Sequence, residues 1–118
     1  MRVYELMIIY NGDLDEEAVA AWQAQVTTNI EAENGRVATV LDSEPWGRRR
    51  FAYQIDHKWE GIYVVLEIVT EANDLASTDR ILRLADRSDV VRHKIMRLPD
   101  DEATRRGLIG EAEPADVG

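Results

Sequence analysis

Residues 2–10, Arg-Val-Tyr-Glu-Leu-Met-Ile-Ile-Tyr, are rich in β-branched and aromatic types and nearly apolar on both faces. Successive strand side chains point to opposite sides, so this run has no side suited to water. It belongs in the middle of a sheet, and the rest of the chain must supply its neighbours. Residues 62–69, Ile-Tyr-Val-Val-Leu-Glu-Ile-Val, are the strongest strand signal and the first such neighbour.

Between these runs the chain punctuates itself. Asn11-Gly12-Asp13 closes the first strand with turn chemistry. Asp13 is placed to cap a helix, with Glu16 completing a capping box and Asp15, Glu16 and Glu17 in the first turn, where the helix dipole favours acids. Val19, Trp22, Val26 and Ile30 recur at spacings of three, four and four, one apolar stripe on a helix that Asn34-Gly35 stops. Residues 36–42 and 46–55, separated by Ser43-Glu44-Pro45, predict one long, bent or bulged strand. Residues 72–84 place Leu75, Thr78 and Leu82 at helical spacing. Residues 90–98 alternate basic and apolar types, as an edge strand does, and Pro99 ends them.

The order is β-α-β-β-α-β. It predicts an α+β, ferredoxin-like split βαββαβ fold: a four-stranded antiparallel sheet with two helices on one face. With 118 residues there is one domain, over 1–98, followed by an acidic, flexible tail over 99–118. Alternation turns Tyr4, Leu6, Ile8, Ile62, Val64, Leu66 and Ile68 toward the helices. Those strand residues other than Tyr4 and Ile62, joined by Trp22, Val26, Ile30 and Ile95, form the predicted core. The other face carries Glu5, Met7, Ile9, Tyr63, Val65, Glu67 and Val69, too apolar to be left to water, and so predicts an interface.

Several chemistries are excluded. With no cysteine there is no disulfide, thiolate metal site or cysteine nucleophile. His57 and His93 lie in separate elements, neither with a partner at ligand spacing, so no metal site is expected. No phosphate-cradling glycine loop or nucleophile elbow occurs, and no cofactor is expected. Asp13, Asp15, Glu16 and Glu17 end the opening apolar run too early for a signal peptide or a membrane span, which predicts a cytoplasmic protein.

A net charge of −9 argues against a polyanionic partner if taken whole. The charge is segregated, however: residues 98–118 hold six acids and two arginines, whereas residues 46–55 hold three arginines and no acid. Arg48 and Arg50 point to one side of a strand and Arg49 to the other, beside an apolar face of Phe51, Tyr53 and Ile55. Such a cluster is either a solvated strand end pairing with Asp42 and Glu44 or a phosphate-binding edge with aromatics for ribose and base. Arg92, Lys94 and Arg97 form a second basic group with the same two readings.

These residues also carry a family resemblance. Trp46-Gly47-Arg48-Arg49-Arg50-Phe51-Ala52-Tyr53-Gln54-Ile55 resembles the signature segment of the bacterial small-subunit ribosomal protein six family. The opening Met1-Arg2-Val3-Tyr4-Glu5-Leu6-Met7-Ile8-Ile9, the strand Gly61-Ile62-Tyr63-Val64-Val65 and the close Asp89-Val90-Val91-Arg92-His93-Lys94-Ile95-Met96-Arg97 agree with it in order, from residue 1 to about 98. Phe51 stands where the family usually has Leu, Gln54 where it often has Pro, and Asp56 where it has a basic or small polar residue; Asp56 weakens the local positive field.

The resemblance implies a structural, non-catalytic role in the 30S subunit. It implies binding to the central domain of 16S rRNA, together with small-subunit protein eighteen as a heterodimer partner, and no DNA or membrane partner. On that scheme Arg2, Arg48, Arg49, Arg50, Arg92, Lys94 and Arg97 include the phosphate contacts, and Met7, Ile9, Tyr63, Val65 and Val69 form the partner surface. The alternative is a ferredoxin-like small-ligand-binding or monooxygenase-type domain that uses the open face as a pocket.

Overall fold

The computed structural model describes residues 1–43, 46–55 and 57–109. Strand β1 (Arg2–Asn11) leads to helix α1 (Glu16–Ala32), then to strands β2 (Gly35–Leu41), β3 (Gly47–Ile55) and β4 (Lys58–Thr70). Helix α2 (Ala76–Leu84), strand β5 (Val90–Leu98) and a short helix α3 (Asp100–Arg105) follow. The sheet order is β2-β4-β1-β5, all antiparallel, with β3 also pairing β4. β1 is therefore central and β5 an edge, and the split βαββαβ arrangement holds.

The expected single bent strand is divided in two. Leu41 faces Val65 and Gly47 faces Tyr63, so the pairing to β4 passes from β2 to β3 across Val64 alone. Trp46 N–H donates to the Ser43 carbonyl at 2.7 Å, while Glu44 and Pro45 lie outside the described residues. Gly47 has φ +90°, and a Cβ there would sit 2.8 Å from the Asp42 carbonyl oxygen, so only glycine restarts the strand without strain.

The helix cap also differs. Asp15, not Asp13, caps α1, its Oδ1 accepting from Ala18 N–H at 2.8 Å. The turn after β1 runs on through Asp13, whose own N–H donates to Asn11 Oδ1. That leaves the Asp13 carboxylate to meet Lys58 Nζ at 2.5 Å. At the far end Asn34, with φ 66°, takes the left-handed conformation that stops the helix.

Between helices and sheet lies the core: Tyr4, Leu6, Ile8, Tyr10, Val64, Leu66 and Ile68 from the strands, and Val26, Ile30, Leu75 and Leu82 from the helices and their ends. Val19, Trp22, Ile62 and Ile95 pack against it half-buried. Asn29 ties the helices together, donating to Thr78 Oγ1 at 2.9 Å and accepting from Ser77 at 3.1 Å. His93 is held at the core's edge, Nε2 to Asp79 Oδ1 at 2.7 Å.

The second sheet face is not open. At one end Phe51 and Ile55 from β3 lie over Ile9 and Val91. At the other, Ala103 of α3 and Leu108 beyond it cover Val3, Val69 and Leu98. The flexible tail expected from residue 99 thus begins as a helix docked on the sheet; residues 110–118 lie outside the described residues. Pro99 before Asp100-Asp101-Glu102, with Arg105 and Arg106 a turn later, is a helix signal that the acidic composition outweighed.

Candidate nucleic-acid and partner interface

Register shows which functional side chains share a side, because residues directly opposite in a ladder project to the same face. On the second face Tyr63, Ile9 and Arg92 form one row, and Val65, Met7 and Lys94 the next. Glu67, Glu5 and Met96 come third, then Val69, Val3 and Leu98. Arg49 faces Gly61 and joins this side ahead of the first row. The face is therefore graded: basic around Tyr63, acidic at the Glu5–Glu67 pair, apolar beneath α3.

Six of the seven nominated cations separate into two sets, and Arg50 stands apart from both. Arg49, Arg92 and Lys94 share the second face, are exposed, and form no ion pair among the described residues. The Arg49 guanidinium lies 5.8 Å from the centre of the Tyr63 ring, a cation–π contact that orients it without using its N–H groups. By register, Arg2, Arg48 and Arg97 fall on the helix side, and each has a protein partner. Arg2 Nη1 donates to the Glu71 carbonyl at 3.1 Å. Arg48 Nη1 donates to the Gly12 carbonyl at 2.7 Å and lies 3.6 Å from Glu60. Arg97 stands 3.6 Å from Asp100. Arg50 belongs to the projecting β3–β4 arm, 4.9 Å over the Trp59 ring.

The arm is positioned by Phe51, which packs edge-on against Tyr63 with ring centres 6.3 Å apart. Gly61 makes room for it, since a Cβ there would fall 2.6 Å from Phe51 Cζ. The predicted apolar face of Phe51, Tyr53 and Ile55 does not form as a unit. A register shift between Arg50 and Ile55 breaks the alternation, leaving Phe51 and Ile55 buried but Tyr53 62% exposed.

Of the residues nominated for a partner, Ile9, Val65 and Val69 are buried within the chain itself, and Met7 and Tyr63 are half-exposed. Two features escaped the sequence reading. One is exposed Trp59 beside Arg50. The other is Arg106, whose Nη1 reaches Glu67 Oε2 at 2.8 Å and Glu5 Oε2 at 3.3 Å, while its Nε reaches Glu102 Oε2 at 2.7 Å. Hydrogen bonds to Glu102 and then Glu67 hold this guanidinium still more firmly protonated than usual. On the helix side a groove of about 600 Å³ runs between α1 and the β2–β4 edge, lined by Leu14, Val19, Val40 and Ile62 with Glu16 and Arg48 at its rim. No group of three or more His, Asp or Glu side chains able to hold a metal occurs among the described residues.

Known proteins share this fold. The family described as Ribosomal protein S6 matches residues 3–97. The chain belongs to the ribosomal protein S6 family. It is 40% identical over 97 residues to the small ribosomal subunit protein bS6 of Desulforamulus reducens, covering 82% of this chain and 97% of that one. The bS6 protein of Saccharopolyspora erythraea is 42% identical over 97 residues, covering 82% and 78%. The crystal structure of 30S ribosomal protein S6 from Thermotoga maritima superposes with a TM-score of 0.76 at 27% identity, covering 91% of this chain and 96% of that one. Membership makes this a ribosomal protein of the small subunit, in a family of structural proteins and not of enzymes. No helix among the described residues is long and apolar enough to cross a membrane.

Proposed function

We propose that this chain binds the central domain of 16S rRNA jointly with small-subunit protein eighteen and works by binding alone. The observation that carries the reading is that Arg49, Arg92 and Lys94, all free of ion pairs among the described residues, share the face that also exposes Tyr63 and Met7. Guanidinium and ammonium groups left to solvent on the outer strands of a sheet face are suited to phosphate oxygens, and a tethered Arg49 loses less freedom on binding. Arg48, Arg2 and Arg97 already satisfy protein acceptors and contribute less. Arg50 and Trp59 on the arm add a cation beside a ring that can pack on a base.

The partner completes the electrostatics. At net −9 the chain repels RNA outside its basic edge, and a basic partner offsets that repulsion while adding phosphate contacts of its own. Met7 and Tyr63 are the direct apolar contacts available to it; Ile9, Val65 and Val69 support the face from below. The small-ligand alternative needs a pocket on this face, which is instead filled by Phe51, Ile55, Ala103 and Leu108.

Filter binding of 16S central-domain RNA, with and without protein eighteen, tests the reading across a salt series. Weak binding by the chain alone, and much tighter binding by the pair, is the expected result. Tight binding without the partner at physiological salt would overturn it.

A further inference from the structure

Antiparallel pairing sets Glu5 and Glu67 directly opposite each other on the second face, and like charges so placed repel. Glu67 is only 7% exposed, so water relieves little of that repulsion. A cation between them relieves it, and Arg106 supplies one with contacts of 2.8 Å to Glu67 and 3.3 Å to Glu5. Yet that cation comes from a weakly held element. α3 has six residues and no side-chain cap, far too short to persist as a helix alone. Ala103 and Leu108 are its buried apolar anchors, and the Arg106 side chain remains about one-third exposed, at 35%.

We propose that the Glu5–Glu67 pair is an arginine socket for a basic protein segment, and that Arg106, at the C-terminal end of α3, fills it in the free chain until the partner's arginine displaces it. This deepens the partner reading above and rests on it. A guanidinium is the fitting group because its planar fork of donors can serve two carboxylates at once, as Arg106 does. The surroundings favour a partner that is also apolar. Exposed Met96 lies in the same row as the two carboxylates, and half-exposed Met7 in the next. When α3 swings away it uncovers Val3, Val69 and Leu98 beside the socket, so the incoming segment gains apolar burial together with the ion pairs. Asp100, Asp101 and Glu102 travel with α3, and their charge repels RNA but attracts a basic chain.

Protein eighteen is the probe, and its affinity for the full-length chain is measured by isothermal titration calorimetry. If Arg106 competes for the socket, the apparent affinity is reduced by the fraction of chains closed. Arg106→Ala should then bind about three- to tenfold more tightly, and Leu108→Ser, which loosens α3 but keeps Arg106, should shift the same way. In the Arg106→Ala background, where nothing competes, Glu67→Gln should weaken binding about tenfold because an ion pair with the incoming guanidinium becomes a contact between that cation and a neutral amide. Circular dichroism confirms that each variant retains the fold.

Unchanged or weaker binding by both Arg106→Ala and Leu108→Ser overturns the displacement. An inert Glu67→Gln in that background overturns the socket while leaving the partner reading intact. No binding by any form overturns both. A dimer of the wild-type chain in sedimentation velocity, abolished by Arg106→Ala, would show that a second copy takes the socket and would also overturn the proposal.

Discussion

Phe51→Ala tests how the arginine arm is held. Phe51 is 5% exposed and packs with Ile9, Ile55 and Val91, its edge against Tyr63. The Cβ-free surface of Gly61 lets the ring approach the sheet. Truncating a buried Phe to Ala costs about 3–5 kcal/mol when the cavity cannot collapse. Here there is an alternative to an empty cavity: β3 is a ribbon paired only to β4, so its outer half can lift from the sheet. The loss cannot exceed the free energy of undocking the arm, which places the expected value near the lower end, about 3 kcal/mol. Urea unfolding followed by tryptophan fluorescence gives the global number. Hydrogen exchange at Arg48, Arg49 and Arg50 reports the arm, whose ladder to β4 passes through these residues. A loss below about 1 kcal/mol, with unchanged exchange at those amides, would refute the claim that Phe51 anchors the arm.

Other outcomes follow from the same geometry. Arg49→Ala should flatten the salt dependence of RNA binding by the heterodimer by about one contact, whereas Arg48→Ala, whose guanidinium already serves Gly12 and Glu60, should change it little; equal effects in filter binding would contradict the division. Val65 is 2% exposed, so Val65→Asp should unfold the chain and not merely weaken a partner contact, and a native circular dichroism spectrum would show otherwise. Burial pushes the Tyr10 phenol well above its ordinary range. Because the folded pKa exceeds the unfolded one, this stability is whole below about pH 10 and is lost as pH rises further. Tyr10→Phe should therefore show a flatter alkaline limb in urea midpoints, despite losing its hydrogen bond to Gln23, and parallel limbs would exclude the effect.

Much of this was legible in the sequence because periodicity reports faces directly. The stripe of Val19, Trp22, Val26 and Ile30 and the alternation along β1 and β4 located the helix-side core. What alternation cannot show is register. Glu5 and Glu67 were both visible on the second face, but only the pairing of β1 with β4 sets them directly opposite, with Arg106 between them. The same gap hid the break between Leu41 and Gly47, whose partners Val65 and Tyr63 are separated by Val64 alone, and the slip after Arg50 that separates Tyr53 from Phe51 and Ile55. Composition misled at residue 99, where a run of acids suggested solvated tail. A helix's first turn favours such acids, and two small contacts, Ala103 and Leu108, suffice to dock it once the sheet exists.

Among all these the decisive measurement is reconstitution of 16S rRNA with the purified chain, followed by sucrose-gradient sedimentation with and without protein eighteen. The chain should sediment with the RNA only when its partner is present, and combined substitution of Arg49, Arg92 and Lys94 by alanine should return it to the top of the gradient. Co-sedimentation of the wild-type chain without its partner, or of that variant at wild-type level with it, would contradict joint binding through the basic end of the second face.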